Sequence, residues 1–144
     1  MSTPTKEILA RDAFLSLTRL HDRLSGQFAV LFREAGVTQA QYNVLRILIG
    51  AGSQGAACQE IGSQLVQRVP DVTRLVDRMV RAGLVTRERT EEDRRVVRIR
   101  VSPKGKRICA GLEQPVLDLH RKQLDHLSRA QLAILQQSLQ AALA

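Results

Sequence analysis

Gly50, Gly52 and Gly55 form a literal G-x-G-x-x-G within "NVLRILIGAGSQGAACQEI", residues 43–61. That spacing cradles a pyrophosphate when it joins a strand to a helix, and Asp71, about 20 residues on, stands where a carboxylate would meet the ribose hydroxyl. Other reactive side chains are sparse. Cys58 and Cys109 stand apart, in no C-x-x-C or ligand-like spacing, so neither a disulfide framework nor a zinc site is indicated. His21, His120 and His126 are scattered, and the last two, six apart, do not share a helix face; all three read as surface or packing residues. No nucleophile, base and orienting group come together. Catalytic residues, metal and cofactor are therefore not expected.

The abundant chemistry is cationic. The chain carries a net charge of +8, with 22 Lys/Arg against 14 Asp/Glu. Residues 67–107 hold 13 of those bases and six of those acids, which leaves the other 103 residues almost neutral. A concentrated basic block is the footprint of a surface that meets phosphate, although such runs are often only a solvated face. Phe14, Phe28, Phe32 and Tyr42, the only aromatics, all precede the block. Stacking platforms for single strands or RNA are thus missing from it.

The elements that must position these cations read mostly as helix. Leu17, Leu20, Leu24, Phe28 and Leu31 recur at three- and four-residue steps, marking an amphipathic helix from about Ile8 to Glu34 that Gly36 ends. Thr38-x-x-Gln41 is a capping box for a second helix through Tyr42, Val44, Leu45 and Leu48. A helix start just upstream of the glycines, with a long helix before it, disfavours a nucleotide-binding strand there. Pro70 beside Asp71 also ends the supposed second strand awkwardly. The glycines read better as the break between one helix and a loop.

Gln59 to Val66 is a short helix with Ile61 and Leu65 on one side. After Gln67-Arg68-Val69, Pro70 suits the first position of the next helix and Asp71 its first turn. In that helix Val72, Leu75, Val76, Met79 and Val80 share one arc, while Arg74, Arg78 and Arg81 gather opposite. The pair has the form of a helix-turn-helix over about 58–82, its second member lying in a major groove. Gly83 closes it. Val85–Arg89 and Val96–Val101 are strand-like, and Thr90 to Arg95 form the tip of a hairpin, a wing over 84–101. Ser102 then caps a helix that has Pro103 at its first position.

With these residues in view, the chain resembles the MarR family of transcriptional regulators over essentially its whole length. The resemblance is most specific in "PDVTRLVDRMVRAGLVTRERTEEDRRVVRIRVSPKG". The fold it implies is mostly α: a winged helix-turn-helix lobe over 37–102 with a two-stranded wing, flanked by N- and C-terminal dimerisation helices over 1–36 and 103–144. It implies a homodimer on a palindromic operator in double-stranded DNA, acting as a repressor and released by a small-molecule effector or an oxidant. Arg68, Pro70, Asp71, Thr73, Arg74 and Arg78 would face DNA from the helix-turn-helix, and Arg94 and Arg95 from the wing, with Asp93 of the family's Asp-x-Arg element supporting the wing. Pro70 and Asp71 depart from the small hydroxylated residues common at that helix start. Tyr42 and Arg46 fall in the region where the family binds effectors. The cysteine of the peroxide-sensing branch is missing from residues 1–36, and the Trp of the urate-responsive branch from the whole chain.

The flanking segments support this reading by themselves. Leu112, Val116, Leu119 and Leu124 line one stripe, with a kink expected at Pro115. Ser128-x-x-Gln131 is a second capping box, opening a helix with Leu132, Leu135 and Leu139 on one side. A chain of 144 residues suits one domain. It has no run of 18 apolar residues and no secretory leader pattern, so a cytoplasmic protein with no membrane partner is expected. The alternatives are a basic architectural DNA-binding protein without ligand regulation and, further off, the nucleotide-binding reading of Gly50, Gly52 and Gly55.

Overall fold

The computed structural model describes residues 3–144. Its order is α1 (Lys6–Glu34), α2 (Gln39–Ala51), α3 (Cys58–Gln64), α4 (Val72–Arg81), β1 (Val85–Arg89), β2 (Val97–Val101), α5 (Pro103–Gln123) and α6 (Arg129–Leu143). No helix among the described residues is long and apolar enough to cross a membrane. The winged helix-turn-helix architecture expected from the sequence is the architecture observed.

Local chemistry sets most of the boundaries. At α2 the Gln41 amide donates to Thr38 Oγ1 at 3.1 Å and the Thr38 amide donates to Gln41 Oε1 at 3.0 Å, the reciprocal capping box. Ser128 and Gln131 do the same at α6. Ser102 Oγ accepts from the Gly105 amide at 3.0 Å and donates to the Gly83 carbonyl at 2.6 Å, so one hydroxyl caps α5 and ties it to the end of α4.

The start of α4 differs from expectation. Asp71, not Pro70, marks it: its backbone is extended (φ −140°) and its Oδ1 accepts from the Arg74 amide at 3.0 Å. Aspartate is among the strongest N-caps, and it takes that role here, leaving Pro70 one residue outside the helix rather than at its first position. Val80 also departs from the predicted core arc, being 36% exposed while Leu75, Val76 and Met79 are buried. The strand before α5 begins at Val97 rather than Val96, and residues 103–123 stay one helix across Pro115.

The G-x-G-x-x-G is a turn. Gly50 lies within α2, Gly52 (φ +69°) ends it, and a single 3-10 turn, Gly52–Gln54, follows. At Gly55 (φ +63°) a Cβ would sit 2.2 Å from the Ile99 carbonyl oxygen. That close approach lets Ala56 pair with Ile99 through two bonds of 3.0 and 2.8 Å, adding a one-residue rung to the wing sheet. The glycines bring chain against chain and frame no strand-to-helix phosphate loop.

β1 and β2 pair antiparallel from Val85↔Val101 to Arg89↔Val97. The core sits where α2, α3, α4 and this sheet converge, around Leu45, Leu48, Ile61, Val76, Met79, Leu84 and Ile99. A cluster this size anchors the exposed faces that follow, and truncating one such Leu to Ala costs about 2–5 kcal/mol. By contrast only the last third of α1 is buried, through Phe28 and Phe32; Ile8, Leu9, Phe14, Leu15 and Leu17 stay exposed.

Candidate nucleic-acid interface

Two features carry the cations outward: the exposed face of α4 and the tip of the wing. On α4, Thr73, Arg74, Arg78 and Arg81 are exposed opposite the buried Leu75, Val76 and Met79. The Asp71 carboxylate that caps the helix also lies 3.7 Å from Arg74 Nε, which orients a guanidinium still 77% exposed. Arg68 and Pro70 lie exposed on the turn between α3 and α4. Asp77 makes an ion pair with Arg87 of β1, tying α4 to the wing. The structure thus brings Arg68, Pro70, Asp71, Thr73, Arg74 and Arg78 onto one stretch of surface running from the turn along α4.

The wing tip is built from a small polar knot. The Thr90 amide donates to the Val96 carbonyl at 3.1 Å and the Val96 amide to the Asp93 carbonyl at 3.0 Å. Thr90 Oγ1 donates to the Asp93 carbonyl at 2.7 Å and accepts from the Asp93 amide at 3.2 Å. Asp93 Oδ1 accepts from the Arg95 amide at 3.0 Å, a local side-chain turn. Arg89 Nη1 donates to the Arg94 carbonyl at 2.7 Å. Asp93 therefore shapes the tip chiefly through the Arg95 backbone. Its contact with the Arg95 side chain is 4.0 Å long on a group 96% exposed, where an ion pair is worth little. Both Arg94 and Arg95 are exposed.

The cations differ in their partners. Arg87, Arg98 and Arg100 are held by Asp77, Glu60 and Glu88 respectively, and Arg100 Nε also donates to the Ser53 carbonyl at 2.8 Å. Arg68, Arg78, Arg81 and Arg94 make no ion pair among the described residues. Basic residues that brace the wing are neutralised; at its tip and along α4, Arg95 and Arg74 have only long, exposed contacts with Asp93 and Asp71, and Arg94, Arg78 and Arg81 make no ion pair among the described residues. Sequence reading missed the bracing set, including Thr90, because the partners lie 3 to 47 residues apart and share no single period.

The two effector candidates, Tyr42 and Arg46, open onto different cavities. Tyr42 lines one of about 450 Å³ between α1, α2 and α5, with Phe28, Phe32, His120 and Gln67. Its ring stacks on Phe32 at 4.6 Å, and the Phe28 ring lies 4.8 Å from His120. Gln67 Nε2 reaches His21 Nε2 at 3.2 Å, linking α1 to the turn before α4. Arg46 lines a second cavity of about 610 Å³ further along α2. Burial pushes the Tyr42 hydroxyl up from its ordinary value, with Cys109 adding to the rise and Arg46 opposing it. Burial likewise raises both thiols: Arg87 opposes the rise at Cys58, and Arg46 at Cys109. At Cys58 desolvation outweighs the opposing Arg87 and Thr73, so the neutral thiol is favoured.

The family model described as MarR family matches residues 37–97, the lobe from the start of α2 to the start of β2. A MarR transcription factor from Planctomyces limnophilus is 33% identical, each chain covering 98% of the other, with a TM-score of 0.71. A mutant MarR from E. coli in complex with operator DNA is 26% identical over 99% of this chain and all of that one, at a TM-score of 0.76. BpsR of Bordetella bronchiseptica, whose DNA binding is regulated by 6-hydroxynicotinic acid, shares the fold: 17% identity, 92% and 99% coverage, TM-score 0.79.

Proposed function

This chain belongs to the MarR family of transcriptional regulators, and we propose that it is a repressor that binds a palindromic operator as a homodimer. The observation that carries this reading is the segregation of charge: among the described residues Arg68, Arg78, Arg81 and Arg94 make no ion pair on the turn, α4 and the wing tip, while Arg87, Arg98 and Arg100 behind them are paired. In this reading α4 enters a major groove with Arg74 and Thr73 towards base edges, Arg78 and Arg68 hold phosphates, and Arg94 reaches the adjacent minor groove. The operator-bound E. coli relative has the same fold over the whole chain.

Residues 1–36 and 103–144 are the dimerisation segments in this reading. The exposed Ile8, Phe14 and Leu17 of α1, with Ile134 of α6, supply the apolar surface a partner would cover. The cavity behind Tyr42 adjoins α1, α5 and the turn leading to α4, and a small aromatic effector held there would release DNA by shifting the lobe against the dimer helices. The protein works in the cytoplasm, with duplex DNA and its own second copy as partners.

Selection of bound duplexes from random DNA, followed by titration at physiological salt, tests the reading. A recovered palindrome bound at least about 10³-fold tighter than scrambled duplex is expected of a specific regulator. Equal affinity for both would identify an architectural DNA-binding protein instead.

A further inference from the structure

The cationic stripe of α4 begins with an anion. Asp71, Arg74 and Arg78 follow one another at three- and four-residue steps, so all three share one exposed side of the helix. The Asp71 carboxylate divides its two oxygens. Oδ1 accepts from the Arg74 amide at 3.0 Å and caps the helix. Oδ2 makes no hydrogen bond among the described residues and faces Arg74 Nε at 3.7 Å, with both side chains more than half exposed. Capping alone does not call for a charge here, because serine caps a helix as well and is neutral.

A carboxylate on a surface that meets phosphates is unfavourable unless a donor reaches it, since phosphate charges act over about 8 Å at physiological salt. The major-groove edges of the bases offer two such donors, the amines of cytosine and adenine. We propose that Asp71 is a specificity-determining residue: its Oδ2 accepts from the cytosine 4-amino group of the same G·C pair whose guanine takes Arg74. The order of groups along that pair decides between the two amines. A G·C pair presents guanine N7 and O6 side by side for the fork of a guanidinium, then the cytosine amine for the carboxylate. An A·T pair places its amine between the two acceptors, adenine N7 and thymine O4, which splits the guanidinium's partners.

The same charge acts against other sequences. Where no amine lies beside Arg74, the carboxylate faces base acceptors and phosphates, and binding is weakened there as well as strengthened at the right pair. Serine at this position would keep the cap and lose both effects. The contact rests on the DNA-binding reading above.

The test uses the intact protein and the duplex it selects from random DNA. The pair at which Arg74→Ala loses discrimination should be G·C. Replacing its cytosine by pyrimidin-2-one, which lacks the 4-amino group, should weaken the wild type by about tenfold. Asp71→Ser should bind the two duplexes within about twofold of each other. It should also bind scrambled duplex several-fold more tightly than the wild type, having lost a negative charge. An A·T pair at that position overturns the proposal. So does a wild type indifferent to the missing amine, a measurement that stands even where the variant fails to fold. An equal loss in wild type and Asp71→Ser overturns it too, because the amine then acts without the carboxylate. Scrambled duplex bound no more tightly by Asp71→Ser removes the repulsive half of the proposal. A protein that enriches no sequence from random DNA loses the regulator reading and this contact with it, whereas a selective protein that ignores the amine loses the contact alone.

Discussion

Arg74 is anchored through its backbone: its amide donates to Asp71 Oδ1 at 3.0 Å, and its exposed Nε lies 3.7 Å from the same carboxylate. A guanidinium steered in this way is suited to reading, since a preset orientation lowers the cost of ordering it on a base edge. Arg74→Ala should cost ~1–3 kcal/mol on the operator and relax discrimination at one position per half-site. Arg94 has no such tether for its side chain; only its carbonyl is held, by Arg89. Arg94→Ala should weaken operator and random duplex by similar factors and lower the salt slope by about one unit per lobe. Titrations of both variants at several salt concentrations check the pair, and a uniform loss from Arg74→Ala would remove its reading role. Asp93 separates charge from shape. Its Oδ1 accepts the Arg95 amide, a bond that asparagine can also accept. Asp93→Asn should therefore bind DNA as tightly as the wild type or more so, having lost a negative charge, while Asp93→Ala loses the turn and binds more weakly. Tighter binding by both variants would show that the carboxylate matters only as a charge.

At the scale of elements, the glycine motif offers a sharp contrast. Gly50 sits in α2 with open space for 4 Å around the point where a Cβ would stand, whereas Gly55 combines φ +63° with a 2.2 Å approach to the Ile99 carbonyl. Gly50→Ala should stabilise the fold by up to about 1 kcal/mol, by helix propensity. Gly55→Ala should destabilise it by about 2–4 kcal/mol, because backbone strain and a clash with the wing act together. Urea midpoints measure both, and a Gly55→Ala protein as stable as the wild type would contradict the turn described here. The same segment shows what the sequence can reveal. Helices α1, α2, α5 and α6 were legible because apolar period and capping residues agree in them. The wing was legible from alternation and its polar tip. The exact start of α4 was not, since Pro70 and Asp71 each satisfy a helix start and only the formed Asp71–Arg74 bond decides between them. Nor were the braces Arg87–Asp77, Arg98–Glu60 and Arg100–Glu88, which join residues brought together only by the fold. Tyr42 and Arg46, one helical turn apart, both fall in the region where the family binds effectors, and only the fold shows that they line different cavities.

For the whole molecule, the apolar surface left uncovered is the decisive quantity. Phe14 is 67% exposed and Leu9 55%, on a helix whose buried residues, Phe28 and Phe32, lie near its other end. Ile134 on α6 is 64% exposed, and α6 buries no residue completely. A long helix with its first half unsupported would fray alone, because burial of an apolar face supplies most helical stability in proteins. In the proposed dimer a second copy would cover both segments, and it would also place two copies of α4 at the fixed separation that a palindrome requires. Phe14→Glu puts a charge into that surface while leaving the core around Leu45, Met79 and Ile99 untouched. It should shift the protein from dimer towards monomer in sedimentation, with the lobe still folded by circular dichroism. Removal of residues 128–144 should act in the same direction by taking away α6, whose Ile134 is 64% exposed in the single chain. Operator affinity should fall steeply in both variants, because the second half-site no longer binds at a high effective concentration. Affinity for a single half-site should change little, since α4 and the wing are intact. An unchanged dimer in both variants would take the interface away from α1 and α6, and equal losses on full and half sites would show that the damage lies in the lobe itself.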